Sequence, residues 1–199
     1  MAHPARLPRW TGRRRAIALA VLAALLAGPA LGQGRGPDPA RPHGAERAWV
    51  EACVLSAQAH PPRAAFGRCA WRIAAACRGE PGEGLLYARL PALPDRPQTL
   101  PVCTLVETAI WQQQMDRWLR EVGLLATAAA VEPLRRSQRA FLAWRDAACL
   151  AEAALSAPSE AEEHRLACRL EQTALRALEL KRLRDEAWLA IATASAEDP

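Results

Sequence analysis

The feature that most limits the folds open to this chain is a cysteine on a helical stripe, answered by a second cysteine just past a helix break. Leu134, Gln138, Phe141, Arg145 and Cys149 recur at three- and four-residue steps, so on a helix they share one face. Ser156, Pro158 and Ser159 interrupt that pattern, and Cys168 follows on the next periodic segment. A second helix folding back antiparallel on the first brings Cys149 and Cys168 within bonding reach. With that pair as anchor, Leu142 is expected near Leu175, Gln138 near Glu179, Leu134 near Leu183 and Arg145 near Glu171. An arginine on an inward stripe needs a partner, and Glu171 is the expected carboxylate.

The other cysteines extend the same logic. Cys53, Cys69, Cys77 and Cys103 complete an even set of six, which in an oxidising compartment reads as a disulfide framework, although several connectivities remain open. Besides Cys149 with Cys168, the pairing expected first is Cys53 with Cys69 and Cys77 with Cys103. A metal site built from Cys149, His164 and Cys168 competes with this reading. No C-x-x-C pair supports it, and the histidines after the amino-terminal stretch (His43, His60, His164) are scattered.

An oxidising compartment implies export, and the amino terminus has the form of an export signal. Arg13, Arg14 and Arg15 precede an apolar run over 16–27, and small residues at Ala30 and Gly32 suit cleavage. The run is shorter than the roughly 20 residues that span a bilayer, so no stable membrane span is expected after cleavage. The general secretory route fits better than the twin-arginine one, and the destination is periplasmic or secreted. Five of the 26 basic residues (Arg6, Arg9, Arg13, Arg14, Arg15) lie in residues 1–32, where there is no acid; the remaining 21 balance 21 acidic residues. The net charge of +5 therefore concerns targeting, and no nucleic-acid partner is expected.

Residues 33–44, rich in Gly, Pro and Arg, read as a linker. Helices are expected over 45–59, stopped by Pro61 and Pro62, and over 63–77, ended by Gly79; together they make a stapled amino-terminal hairpin. The five prolines of 79–101 exclude a regular helix there, and Leu85, Leu86, Tyr87 and Leu90 read as part of a packed surface loop. Periodicity returns over 102–122, where Gly123 is expected to interrupt, and Glu132-Pro133 is expected to restart the helix carrying Cys149. Ser159 and Glu162 read as a capping box opening a last helix that runs to about Trp188. No stretch alternates with period two. The fold class is all-α: a small disulfide-stapled helical bundle with an amino-terminal helical hairpin, divided into 1–32 signal, 33–44 linker, 45–100 hairpin and Pro-rich loop, and 101–190 helical domain.

Over residues 101–184 the chain resembles the LprI-like lysozyme-inhibitor family, small exported all-helical bacterial domains. The residues that carry the resemblance are Leu134, Gln138, Arg139, Ala140, Phe141 (where the family usually has Trp), Trp144, Arg145, Asp146, Cys149, Cys168, Thr173, Arg176 and Leu180, with Cys103, Glu107 and Trp111 upstream. The chain departs from the family's W-D-x-x-L-N-x-x-Y pattern, having Trp111-Gln112, Met115-Asp116 and Leu119. The hairpin with Cys53, Cys69 and Cys77 resembles an extension found in some members.

No Gly-rich phosphate loop, H-E-x-x-H or G-x-S-x-G is present, and six paired cysteines leave no thiol for catalysis. Neither an enzyme, a cofactor nor a catalytic or metal site is expected. The resemblance implies a protein that binds and blocks a lysozyme-type muramidase; the alternative is a non-inhibitory periplasmic structural or adaptor protein. Gln138, Arg139, Phe141, Trp144, Arg145, Asp146, Thr173 and Arg176 are expected to be architectural. Arg135, Arg136 and Arg139 face away from the cysteine stripe and form a basic edge suited to an acidic cleft on the partner.

Overall fold

The computed structural model describes residues 38–80 and 96–196. The expected signal segment, the start of the linker, and Leu85, Leu86, Tyr87 and Leu90 lie outside the described residues. Among the described residues there are six helices and no strand: α1 Gly44–Ser56, α2 Pro62–Cys69, α3 Arg72–Cys77, α4 Leu100–Leu125, α5 Ala128–Ala154 and α6 Ala161–Ala196. The fold is all-α with three disulfides, Cys53–Cys69, Cys77–Cys103 and Cys149–Cys168.

The backbone of the fold is the seam between α4 and α6, which run in the same direction. Arg145 bridges Gln112 of α4 and Thr173 of α6, and further along both helices Arg184 lies 3.6 Å from Glu121. Trp111, Met115 and Trp118 of α4 and Leu170, Ala174, Ala177, Leu178 and Leu180 of α6 bury almost completely along it. Val50, Cys53 and Val54 of α1, Ala65 and Cys69 of α2, and Ile73 close the same apolar core. One core therefore draws on both sides of the boundary expected near residue 100. Side chains of α4 also hold the hairpin in place, since Glu51 of α1 accepts from Gln114 at 3.0 Å and from Arg117 at 2.8 Å.

The single helix expected over 63–77 is two helices, because a carboxylate from another element caps the second. Trp71 adopts a left-handed backbone at φ 68, which breaks the chain direction between α2 and α3. The Trp71 N–H donates to Glu107 Oε1 at 2.6 Å and the Ala74 N–H donates to Glu107 Oε2 at 2.8 Å. These are the donors that the start of α3 would otherwise leave unpaired. A left-handed tryptophan costs roughly 1–2 kcal/mol, which the two hydrogen bonds to Glu107 offset. Gly79, at φ 74, ends α3 where the sequence expected a stop.

Other boundaries shift for local reasons. Gly123 does not interrupt α4, which continues to Leu125; one glycine costs a helix only about 1 kcal/mol. α5 begins at Ala128, more than a turn before the expected restart, and carries Pro133 inside it, where only the Ala129 carbonyl loses a partner. Glu162 bonds Arg165 at 2.8 and 2.5 Å instead of completing a capping box, and α6 runs eight residues past Trp188 to Ala196. Among the described residues, no helix is long and apolar enough to cross a membrane.

Candidate protein-binding face

α5 sits against the bundle along one narrow stripe. Its buried residues are Gln138, Arg145, Cys149 and Ala153, with Leu134, Phe141 and Leu142 half-buried beside them. This is the face read from the sequence, and polar side chains share the attachment with the apolar ones. Arg145 is 5 % exposed and directs its guanidinium three ways. Nη1 donates to Thr173 Oγ1 of α6 at 3.0 Å and to Gln112 Oε1 of α4 at 3.2 Å. Nε and Nη2 meet Asp146 Oδ1 at 3.0 and 2.9 Å. Thr173 in turn donates to the Arg169 carbonyl at 2.6 Å, so its hydroxyl is fixed in orientation.

A second clasp lies two turns earlier along α5. Gln138 accepts from Arg176 Nε at 3.1 Å and donates to Met115 Sδ at 3.2 Å, joining α5 to α6 and α4 at once. Arg176 also donates to Ser137 Oγ at 3.1 Å, lies 3.2 Å from Glu179 and covers the Phe141 ring at 5.4 Å. The Cys149–Cys168 disulfide closes the far end.

One expected pair is corrected by this geometry: Arg145 meets Asp146, Thr173 and Gln112 instead of Glu171. Gln138 bonds Arg176, whose guanidinium also reaches Glu179. The disulfide sets the facing positions to within one helical turn, and within a turn the side chain chooses the partner with better geometry. Asp146 is half-exposed, so removing Arg145 would strand no buried acid. What it would strand is the Gln112 oxygen and the Thr173 hydroxyl, a cost of about 1–3 kcal/mol.

The motif residues thus divide into two groups. Gln138, Phe141, Arg145, Asp146, Thr173 and Arg176 build the clasps. Trp144 and Arg139 do not: Trp144 is 54 % exposed, tilted against Phe141 at 6.0 Å, and Arg139 is exposed with a 2.9 Å ion pair to Glu132. Arg135 and Arg136 are exposed on the same helix. Helical spacing aligns Arg136, Ala140 and Trp144, so the outward face presents a basic edge that ends in an exposed indole. Arginine and tryptophan are the side chains that most often anchor protein interfaces. Trp144, read from the sequence as architectural, packs on Phe141 with one side and leaves the rest of its indole exposed.

Cys149 and Cys168 are bonded to each other, so neither thiolate is available with His164 for a metal. His164 lies 3.8 Å from Glu160 on the exposed start of α6.

In the sequence, Glu107 stands out only through the family resemblance. It is fully buried, and besides the two backbone donors it accepts from Trp111 Nε1 at 3.1 Å. Burial pushes its carboxyl up to about 7, against the pull of the Ala74, Trp111, Trp71 and Ile73 N–H groups. The same residue thus positions α3 and fixes the central tryptophan of α4.

The family model described as Lysozyme inhibitor LprI matches residues 95–180. That span holds α4, α5 and the first twenty residues of α6, including both clasps and the outward basic edge. No curated protein and no solved structure matches the chain.

Proposed function

We propose that the chain is exported and acts by binding and blocking a lysozyme-type cell-wall muramidase, with no reaction of its own. The observation that carries this reading is the match of residues 95–180 to the lysozyme-inhibitor family model. Export is supported by the signal-like amino terminus and by three disulfides, which persist in oxidising compartments. The contact surface proposed is the outward face of α5, with Arg135, Arg136, Arg139 and Trp144. A muramidase cleft that works with carboxylates attracts such an edge, and Trp144 supplies apolar area beside the charges.

The clasps on the opposite side of the helix support the same reading. They hold α5 rigid without using its outer surface, which lowers the ordering cost of association. Lysis of a cell-wall suspension by chicken-, goose- and invertebrate-type lysozymes, with and without the purified oxidised protein, tests the proposal. The expected result is inhibition of at least one type, weakened when Arg135, Arg136 and Arg139 are changed to Glu. If all three enzymes remain fully active, the non-inhibitory periplasmic structural or adaptor role replaces it.

A further inference from the structure

A cleft of about 460 Å³ opens where the turn before α2 meets the second half of α6. Its apolar floor is Pro61, Pro62 and Leu183, and Arg63, Arg176 and Arg182 stand around it with Glu179 as the one acid. With Arg176 beside Glu179 and Arg182 beside Glu186, Arg63 is the excess positive charge over an apolar floor. The charges differ in how firmly they are held. Arg176 is tied into the α5 clasp, while Arg63 is exposed and Arg182 makes only a surface pair with Glu186, both partners about half-exposed. Exposed pairs of that kind contribute about 0–1 kcal/mol, so Arg182 can exchange Glu186 for an incoming carboxylate at little cost.

We infer that this cleft receives an acidic loop of the protein partner: a carboxylate side chain between Arg63 and Arg182, with a neighbouring apolar side chain on Pro61, Pro62 and Leu183. Charge and shape select this occupant together. Arginine forks match carboxylates in geometry as well as charge, and rigid prolines and a leucine offer apolar contact that costs little ordering. The cleft is also continuous with the proposed contact surface. Arg176 donates to Ser137, the residue after Arg136 on α5, so one guanidinium borders both the cleft and the basic edge. The inference rests on the protein-binding reading and adds to it a second anchor, built by α2 and α6 in place of α5.

The test uses the full oxidised chain and two probes. The first is a capped hexapeptide of alternating Leu and Glu, titrated by NMR, with the Leu and Lys counterpart as control. Saturable shifts are expected at Arg63, Arg176 and Arg182 for the Glu peptide only, and they are lost in the Arg63→Glu/Arg182→Glu variant. Absence of shifts there, or equal binding of the Lys peptide, overturns the inference. The second probe is any muramidase that the wild-type chain inhibits. The same double variant should inhibit about tenfold more weakly, the loss expected when like charges replace complementary ones at a contact. An Arg41→Glu/Arg120→Glu variant, with the same change in net charge at exposed sites elsewhere, should inhibit nearly as well as wild type. Undiminished inhibition by the cleft variant refutes the cleft and leaves the inhibitor reading standing. Failure of the wild-type chain to inhibit any muramidase refutes that reading, and the peptide titration then decides the cleft by itself.

Discussion

α4 and α5 are nearly the same length, 26 and 27 residues, yet they are held by different physics. α4 buries ten residues, among them Trp111, Met115 and Trp118, and forms the middle of the core. α5 buries four, of which only Cys149 and Ala153 are apolar. Apolar burial of a large side chain contributes about 1.5–3 kcal/mol, so α4 would stay in place if any single polar contact were removed. α5 relies on two arginine-centred clasps and one disulfide beside the half-buried Leu134, Phe141 and Leu142. The lesson is that a helix can be fixed in orientation without being enclosed, and that three of its sides then remain free to meet a partner.

Cutting the Cys149–Cys168 bond should affect the two helices most unequally. In the chain-entropy view, a loop of this length stabilises by about 3 kcal/mol. The Cys149→Ser/Cys168→Ser variant is expected to lose about that much, and amide exchange in α5 should rise far more than in α4. Equal acceleration in both helices would mean that α5 is integral to the core and the contrast is wrong.

The core side has its own sensitive point, Glu107, and its response to pH runs opposite to that of an ordinary paired acid. The folded carboxyl keeps its proton up to about 7, whereas the unfolded one releases it near 4.5. Between those values the native state binds more protons than the unfolded state, so stability from this group is full below 4.5 and is lost as pH rises through 7. The loss is no more than about 3.5 kcal/mol, since each unit of difference is worth about 1.4. Denaturant titrations at pH 5 and pH 8 should therefore show the wild-type chain weakening relative to Glu107→Gln. A flat difference between the two proteins would contradict the burial argument. At the small end of the scale, the Arg135, Arg136 and Arg139 to Glu changes should shift stability by only about 0.5 kcal/mol, because exposed charges contribute little.

Much of α4 to α6 was legible because the sequence carries its own ruler: apolar residues at helical spacing and cysteines at the ends of the antiparallel pair. The three disulfides follow the pairing expected first, since each cysteine lies on the inward stripe of its own helix. The break at Trp71 was not legible, because its cause is a carboxylate 36 residues later in the chain. Gly123 and Pro133 misled for the opposite reason: both residues usually end helices, and here the core holds α4 across one and solvent tolerates the other. Arg145 meets the adjacent Asp146 instead of Glu171 because a long side chain can curl back along its own helix, a contact that antiparallel register does not reveal. The cleft was invisible for simple reasons of distance along the chain, as Arg63 and Arg182 belong to segments that only the fold brings together.

The central claim is that α5 is clasped from behind and recognises a muramidase with its outer face. Hydrogen exchange of the full oxidised chain, alone and with a lysozyme it inhibits, tests this most directly. The account predicts added protection over 135–144 of α5, with α4 unchanged. Protection confined to the amino-terminal helices, or none anywhere while inhibition is complete, would contradict it.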